Sequence, residues 1–308
     1  MKDIDLSVDL GRGLVLPNPV MTASGTFGYG EEASEYFDIA ELGAVVVKGI
    51  SAEPRQGNPP PRVVETPSGM LNSIGLQNVG MEAFIAEKMP FLRERGARVI
   101  VNVLGSTVEE YIKVCETLSG VEGISALEIN ISCPNVKEGG VQFGMKQALA
   151  AGLVKALRPV TELHLMVKLS PNCGDIAGVA CAVQGAGADS VSLINTITGM
   201  EIDIATRKPF LGGLVGGLSG PAVTPVALRM VHEAFKAVKI PVVGIGGISD
   251  SATALKFLIA GARAVQVGTA TFVDPLAPVR ILEGVRKYCM EEGVGVLELS
   301  GSLVTDTG

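Results

Sequence analysis

An α/β fold, a (β/α)8 TIM barrel with insertions after strands 2, 4 and 6, is predicted for this chain by three observations. Eight short apolar runs rich in β-branched residues alternate with helix-patterned stretches along the sequence. Some of these runs, such as V-V-V at 45–47, are continuously hydrophobic, as parallel strands buried on both faces are. The length of 308 residues suits one barrel of this kind. No linker-like shift in composition divides it, so 1–308 reads as a single domain. A doubly wound open sheet is the alternative. It fits eight regular units less well, and no G-x-G-x-x-G follows an early strand.

Each element has a local reason. A strand-like start at 4–10 precedes the first core strand, 20–23, which Pro17 and Pro19 delimit and which delivers Ser24 and Gly25 to its end. Residues 31–42 are helical in pattern, with Tyr36, Phe37 and Leu42 for one face, and the second strand, 44–47, runs into Lys48-Gly49. The proline-rich stretch 51–78 is too long for a plain connection, and loops of that length are often functional. It closes on the polar M-L-N-S-I-G-L-Q-N. Helix 81–95, strand 99–103 and helix 107–118 follow, with Thr107 and Glu110 spaced as a capping box. The fourth strand, 124–131, must stop near Ser132 because Pro134 has no N–H to donate, and a glycine-bearing loop, 136–144, comes next.

The alternation continues through helix 146–157, strand 165–169, helix 176–184 and strand 190–194, which ends in Asn195-Thr196. A glycine-rich insertion, 198–221, holds G-G-L-S-G-P. Helix 225–238, strand 241–245 into Gly246-Gly247, helix 249–259 with Ser249 as N-cap, strand 264–267 into Gly268-Thr269, and helix 275–292 complete the pattern.

Composition narrows the function classes. With 32 acidic residues against 25 Lys and Arg, the net charge of -7 argues against nucleic acid as the main partner. The histidines, His164 and His232, lie far apart, and Cys115, Cys133, Cys173, Cys181 and Cys289 fall in no pair spacing. This argues against a zinc or iron–sulfur site made by this chain alone. The scattered cysteines fit a reducing cytoplasmic compartment, and M-K-D-I-D-L lacks the apolar core of a signal peptide. No apolar run approaches the roughly 18 residues of a bilayer span.

In such a barrel, function collects at the C-terminal strand ends. The stretch L-E-I-N-I-S-C-P-N, 127–135, puts Asn130, Ser132, Cys133 and Asn135 at one of them. Only the thiol can lose a proton near neutral pH, while the carboxamides suit an uncharged grip on a planar heterocycle. A buried cysteine acting as a small hydrophobe fits that stretch equally well. Lys48 and Lys168 lie within apolar strands, which is costly unless something anionic or electron-rich meets them. A strand-end salt bridge explains one such lysine more readily than two. The last two strands end in small residues with a helix start close behind, an arrangement that holds phosphate in many barrels, although glycine pairs also serve plain turns. Together these features point to a phosphate-bearing cofactor across the barrel mouth. FMN fits, with a lysine stabilising the anionic reduced ring.

The segments A-S-G-T-F-G (23–28), M-L-N-S-I-G-L-Q-N (70–78), N-I-S-C-P-N (130–135), V-K-L-S-P (167–171), G-I-G-G-I (244–248) and Q-V-G-T-A (266–270) resemble dihydroorotate dehydrogenase over essentially the whole chain. Cysteine rather than serine at 133 resembles the cytosolic class 1 enzymes. The run M-E-I-D-I-A-T-R-K-P (200–209) leading to G-G-L-S-G-P-A (216–222) is similar to the class 1B, NAD-dependent catalytic subunit. One departure is Val79, where proline is expected; it bears on the stiffness of the loop and not on its polar groups.

The resemblance implies that Cys133 is the general base in the oxidation of (S)-dihydroorotate to orotate, a step of de novo pyrimidine (UMP) synthesis. It implies that Lys48, Asn72, Ser73, Ile74, Gly75, Leu76, Asn130, Asn135, Asn195 and Thr196 hold the substrate. FMN would be held by Ser24, Lys48, Gly49, Asn102, Asn130, Lys168, Ile194, Gly220, Gly246, Gly247, Gly268 and Thr269, with the 136–144 loop covering the site and no metal on this chain. It further implies a partner subunit carrying FAD and a [2Fe-2S] cluster that passes electrons to NAD+, in a heterotetramer built on a homodimer of catalytic chains. A class 1A enzyme using fumarate, a sibling flavoenzyme acting on another dihydropyrimidine, and a flavin-free lyase with a Schiff-base lysine are the alternatives.

Overall fold

Strands form where β-branched residues crowd together, and they close on themselves. The computed structural model, which describes residues 4–132 and 143–305, has eight parallel strands in one sheet: Val20–Thr22, Val45–Ile50, Val99–Val103, Ile124–Asn130, His164–Lys168, Ser190–Leu193, Val242–Ile245 and Ala264–Val267. Each pairs with its neighbours in chain order, and the eighth pairs with the first, Val265 opposite Val20. The first and second strands meet at the Met21–Ala44 bridge. The Thr22 side chain completes that seam, its Oγ1 accepting from Val46 N at 2.9 Å and lying 3.2 Å from Val46 O. Strand interiors are almost wholly buried, as expected when helices cover the outside and packed side chains fill the inside.

Both long insertions among the described residues carry strands of their own. Val63–Thr66 and Gly69–Asn72, after the second barrel strand, join Ile197–Gly199 and Gly216–Ser219, after the sixth, in a four-stranded antiparallel sheet. At the opposite end the hairpin Val8–Asp9/Val15–Leu16 reaches the strand starts. Gly11 O there lies 2.9 Å from His164 Nδ1, and Arg12 pairs with Glu162. Buried between Gly11 and Ser190 Oγ (2.7 Å), His164 is pulled below its ordinary pKa mainly by desolvation, so this histidine packs the barrel floor.

Two local expectations differ. Residues 31–42 form no α-helix but two short 3₁₀ turns, Ala33–Glu35 and Ile39–Glu41, split where Asp38 turns extended and its side chain accepts from Ala40 N. The helix expected at 249–259 is Ser251–Ala260, and its N-cap is Asp250, not Ser249: the carboxylate accepts from Thr253 N at 2.7 Å, a stronger acceptor for an orphan helix N–H than a hydroxyl. At helix Val108–Ser119, Thr107 Oγ1 accepts from Glu110 N, and Glu110 reaches back to Ser106 N, one residue beyond the usual capping-box partner.

Candidate active site

A cavity of about 910 Å³ opens at the C-terminal ends of the barrel strands. Its floor is polar because the inward-facing positions at the tops of adjacent strands are polar. Register sets Asn102 opposite Glu128, Asn130 opposite Lys168, and Lys168 opposite Ser192, so these side chains meet inside the barrel near its mouth. Lys168 is only 5% exposed, and its Nζ lies 3.8 Å from Glu128 Oε2. The anionic partner that a buried lysine requires is thus a carboxylate of the neighbouring strand.

Lys48 is placed differently. The second strand runs on through Lys48-Gly49 to Ile50, with a register shift between Val47 and Ile50, and such irregularities re-aim side chains. Lys48 is half-buried at the cavity wall; burial first, and then the Arg62 guanidinium, hold its pKa below the ordinary lysine value. Gly49 is required by close approach: a Cβ there would come within 2.7 Å of Leu104 Cδ1 and 2.9 Å of Asn102 Oδ1.

The antiparallel sheet from the two insertions brings Asn72, Ser73, Ile74, Gly75 and Leu76 to the cavity. Asn58 donates to Ser73 O (3.0 Å) and Ser73 Oγ (3.1 Å), and Asn78 donates to Leu76 O (2.9 Å) and Ser51 Oγ (2.8 Å), so the loop is pinned at both ends. Asn195 and Thr196 face the same space from the sixth strand, steadied by Asn172, whose Nδ2 donates to Thr196 O at 3.1 Å.

At the rim, Gly220, Gly246-Gly247 and Gly268-Thr269 bring three stretches of backbone together, with Ser24 and Ile194 nearby. Gly246 and Gly247 have φ of +136° and +71°, and a Cβ on Gly247 would sit 2.6 Å from Gly220 O. Thr269 Oγ1 bonds Ser219 Oγ at 2.8 Å beside them. Close-packed backbone with hydroxyls at the rim, and carboxamides with ammonium groups on the floor, form a donor set that fits a group with a phosphate at one end and a planar polar ring at the other.

Every sequence-predicted site residue among the described residues therefore lines this one cavity; Cys133 and Asn135 lie outside the described residues. Sequence reasoning missed Glu128, Ser192 and Gln266, whose polar groups meet beneath the floor, and Asn172 in its wall. The signal was present for the first three: each is a polar residue inside an apolar strand run.

Comparison with known proteins agrees with this architecture. The family model described as dihydroorotate dehydrogenase matches residues 8–289. A relative from Trichlorobacter lovleyi, named dihydroorotate dehydrogenase B (NAD(+)), catalytic subunit, is 55% identical over 299 residues, covering 97% of this chain and 98% of its own. A protein of the same name from Geotalea uraniireducens is 55% identical over 302 residues, covering 98% and 99%. Among solved structures, the Eimeria tenella dihydroorotate dehydrogenase in complex with ferulenol superposes with a TM-score of 0.81 at 22% identity, covering 97% of this chain and 89% of that one, a likeness of fold.

Proposed function

The chain belongs to the dihydroorotate dehydrogenase family, and from that premise we propose that it oxidises (S)-dihydroorotate to orotate in de novo pyrimidine synthesis with FMN in the strand-end cavity. The observation that carries this reading is the convergence of two lysines and the carboxamides of Asn72, Asn102, Asn130 and Asn195 on one space. Gly220, Gly246-Gly247 and Gly268-Thr269 would hold the phosphate end of the flavin. Ser24, Lys48-Gly49, Asn102, Asn130, Lys168 and Ile194 would hold the rest. The substrate would lie against Lys48, the Asn72–Leu76 segment, Asn130, Asn135, Asn195 and Thr196.

When bound, the flavin supplies the acceptor for the hydride that leaves C6 of the substrate. Cys133, as thiolate, takes the proton from C5, so that the C5–C6 double bond forms as both hydrogens depart. The carboxamides orient the ring without adding charge. The Lys48 ammonium offsets the substrate carboxylate, and Lys168 places a positive charge where the bound ring system gains electrons. The relatives' names, which specify a catalytic subunit and NAD(+), support a partner subunit. In this reading it carries FAD and a [2Fe-2S] cluster, NAD+ is the final acceptor, and two catalytic chains form the centre of a heterotetramer. No helix among the described residues is long and apolar enough to cross a membrane, in keeping with a cytoplasmic setting.

Purified protein is expected to be yellow. Micromolar orotate should shift its flavin spectrum and dihydroorotate should bleach it without oxygen, whereas dihydrouracil, lacking the carboxylate, should do neither. A colourless protein indifferent to orotate would refute the reading. Because Lys48 loses its proton below the ordinary lysine range, orotate affinity should fall as pH rises through the alkaline region, the neutral amine no longer attracting the carboxylate. Spectral titrations at neutral and alkaline pH check this, and affinity unchanged into the ordinary lysine range would remove Lys48 from the carboxylate site.

A further inference from the structure

Beneath the cavity lies a buried carboxylate that accepts a hydrogen bond from one of the floor's amides. Glu128 is fully buried and does not line the cavity. Its Oε1 accepts from Ser192 Oγ at 2.7 Å and from Gln266 Nε2 at 2.7 Å, and its Oε2 accepts from Asn102 Nδ2 at 2.6 Å. With donors on both oxygens and Lys168 Nζ at 3.8 Å, Glu128 acts as acceptor only. That polarity propagates outward. With its nitrogen turned to Glu128, Asn102 presents Oδ1 to Asn130 Nδ2 at 3.4 Å. Asn130 in turn presents Oδ1 to Ser132 N at 3.2 Å and to Asn195 Nδ2 at 3.4 Å, and Asn195 Oδ1 accepts from Thr196 N at 2.8 Å. Tyr111 Oη holds the Asn130 backbone by donating to Asn130 O at 2.6 Å.

We propose that Glu128 is a positioning residue that fixes the orientation of the three cavity carboxamides, and thereby makes the floor a donor surface selective for oxygen-rich planar anions. Each amide of the relay commits its oxygen and one N–H, which leaves its second N–H for a ligand. The proposal rests on the functional reading above for its ligand, orotate, whose carbonyl and carboxylate oxygens are acceptors. Glutamine at 128 has nearly the same shape but can donate, so the relay could run in the opposite sense, with oxygens turned where nitrogens had been.

The test compares the wild-type holoprotein with E128Q and with E128D, by spectral titration with orotate and by FMN content. Aspartate at position 128 is one methylene shorter but still accepts only, so it keeps the orientation of the relay while disturbing the packing more than the isosteric glutamine does. E128Q should bind orotate about ten- to a hundredfold more weakly, the cost of a mispaired buried polar group, and E128D should bind it more tightly than E128Q. The order of the two is the decisive readout, because a merely structural role for Glu128 favours the isosteric glutamine over the shortened aspartate. E128Q binding orotate within about twofold of wild type, a fraction of the expected loss, or E128D no better than E128Q, overturns the relay. Should E128Q fail to fold, a folded E128D that binds orotate supports the relay, and one that also fails overturns it. A wild-type protein that ignores orotate sinks the functional reading instead; FMN retention, lower in E128Q than in E128D, then still decides the relay.

Discussion

Replacing Cys133 by serine is expected to slow substrate-dependent flavin bleaching by about 10² to 10⁴, the usual cost of losing a positioned base. A free thiol has a pKa of about 8.5, so only a few per cent is thiolate near neutrality, but a serine hydroxyl is far less acidic and needs a further base to activate it. The chain leading to this residue is firmly anchored. Ser132 Oγ donates to Lys168 O at 3.0 Å, and Tyr111 holds the carbonyl of Asn130. The loss should therefore fall on the rate of bleaching at saturating dihydroorotate, with orotate affinity little changed. The wild-type rate should climb from neutral toward alkaline pH. Anaerobic rapid mixing measures both, and a serine variant of near-normal rate, or a flat wild-type profile, would reject the thiol as base.

Lys168→Met should cost about 3 kcal/mol of stability, because removing one member of a buried ion pair strands the other. Glu128 has no solvent exposure and would be left with Asn102, Ser192 and Gln266, three neutral donors in place of three donors and a cation. Methionine fills much of the lysine's volume, so cavity formation adds little and the loss reports the charge. The urea midpoint of the purified protein measures it, together with a lower flavin content. A midpoint equivalent to less than about 0.5 kcal/mol of change, the range of ordinary surface substitutions, would show that the pair does not matter to folding.

The barrel was legible because parallel strands buried on both faces must be apolar throughout; residues 99–103 and 264–267 match the observed strands to the residue. The cavity lining was legible because chemistry in this fold is confined to one end of each strand. What escaped notice follows from the same physics. Three apolar residues in 31–42 imitated a helical face, but local hydrogen bonding by Asp38 breaks the segment into single turns. The strands between Ile197 and Ser219 are two to four residues long, too short for alternation to show. Glu128 is as out of place in its apolar strand as Lys168, but its partner is not legible in the linear sequence. A carboxylate and an ammonium on adjacent strands each answer the desolvation cost of the other, and only the register reveals that they are neighbours.

The antiparallel sheet beside the mouth has a consequence for how this molecule matures and diverges. Asn72 pairs opposite Gly217, so two segments nearly half the chain apart must meet before the ligand-facing arm at 72–76 has its shape. Contacts so distant in sequence carry a larger loop-closure cost and are slow to form. Binding competence should thus trail overall collapse during refolding. Drift in either arm must be matched in the other, because a Cβ at Gly216 would come within 2.8 Å of the backbone carbonyl oxygen of Asn72.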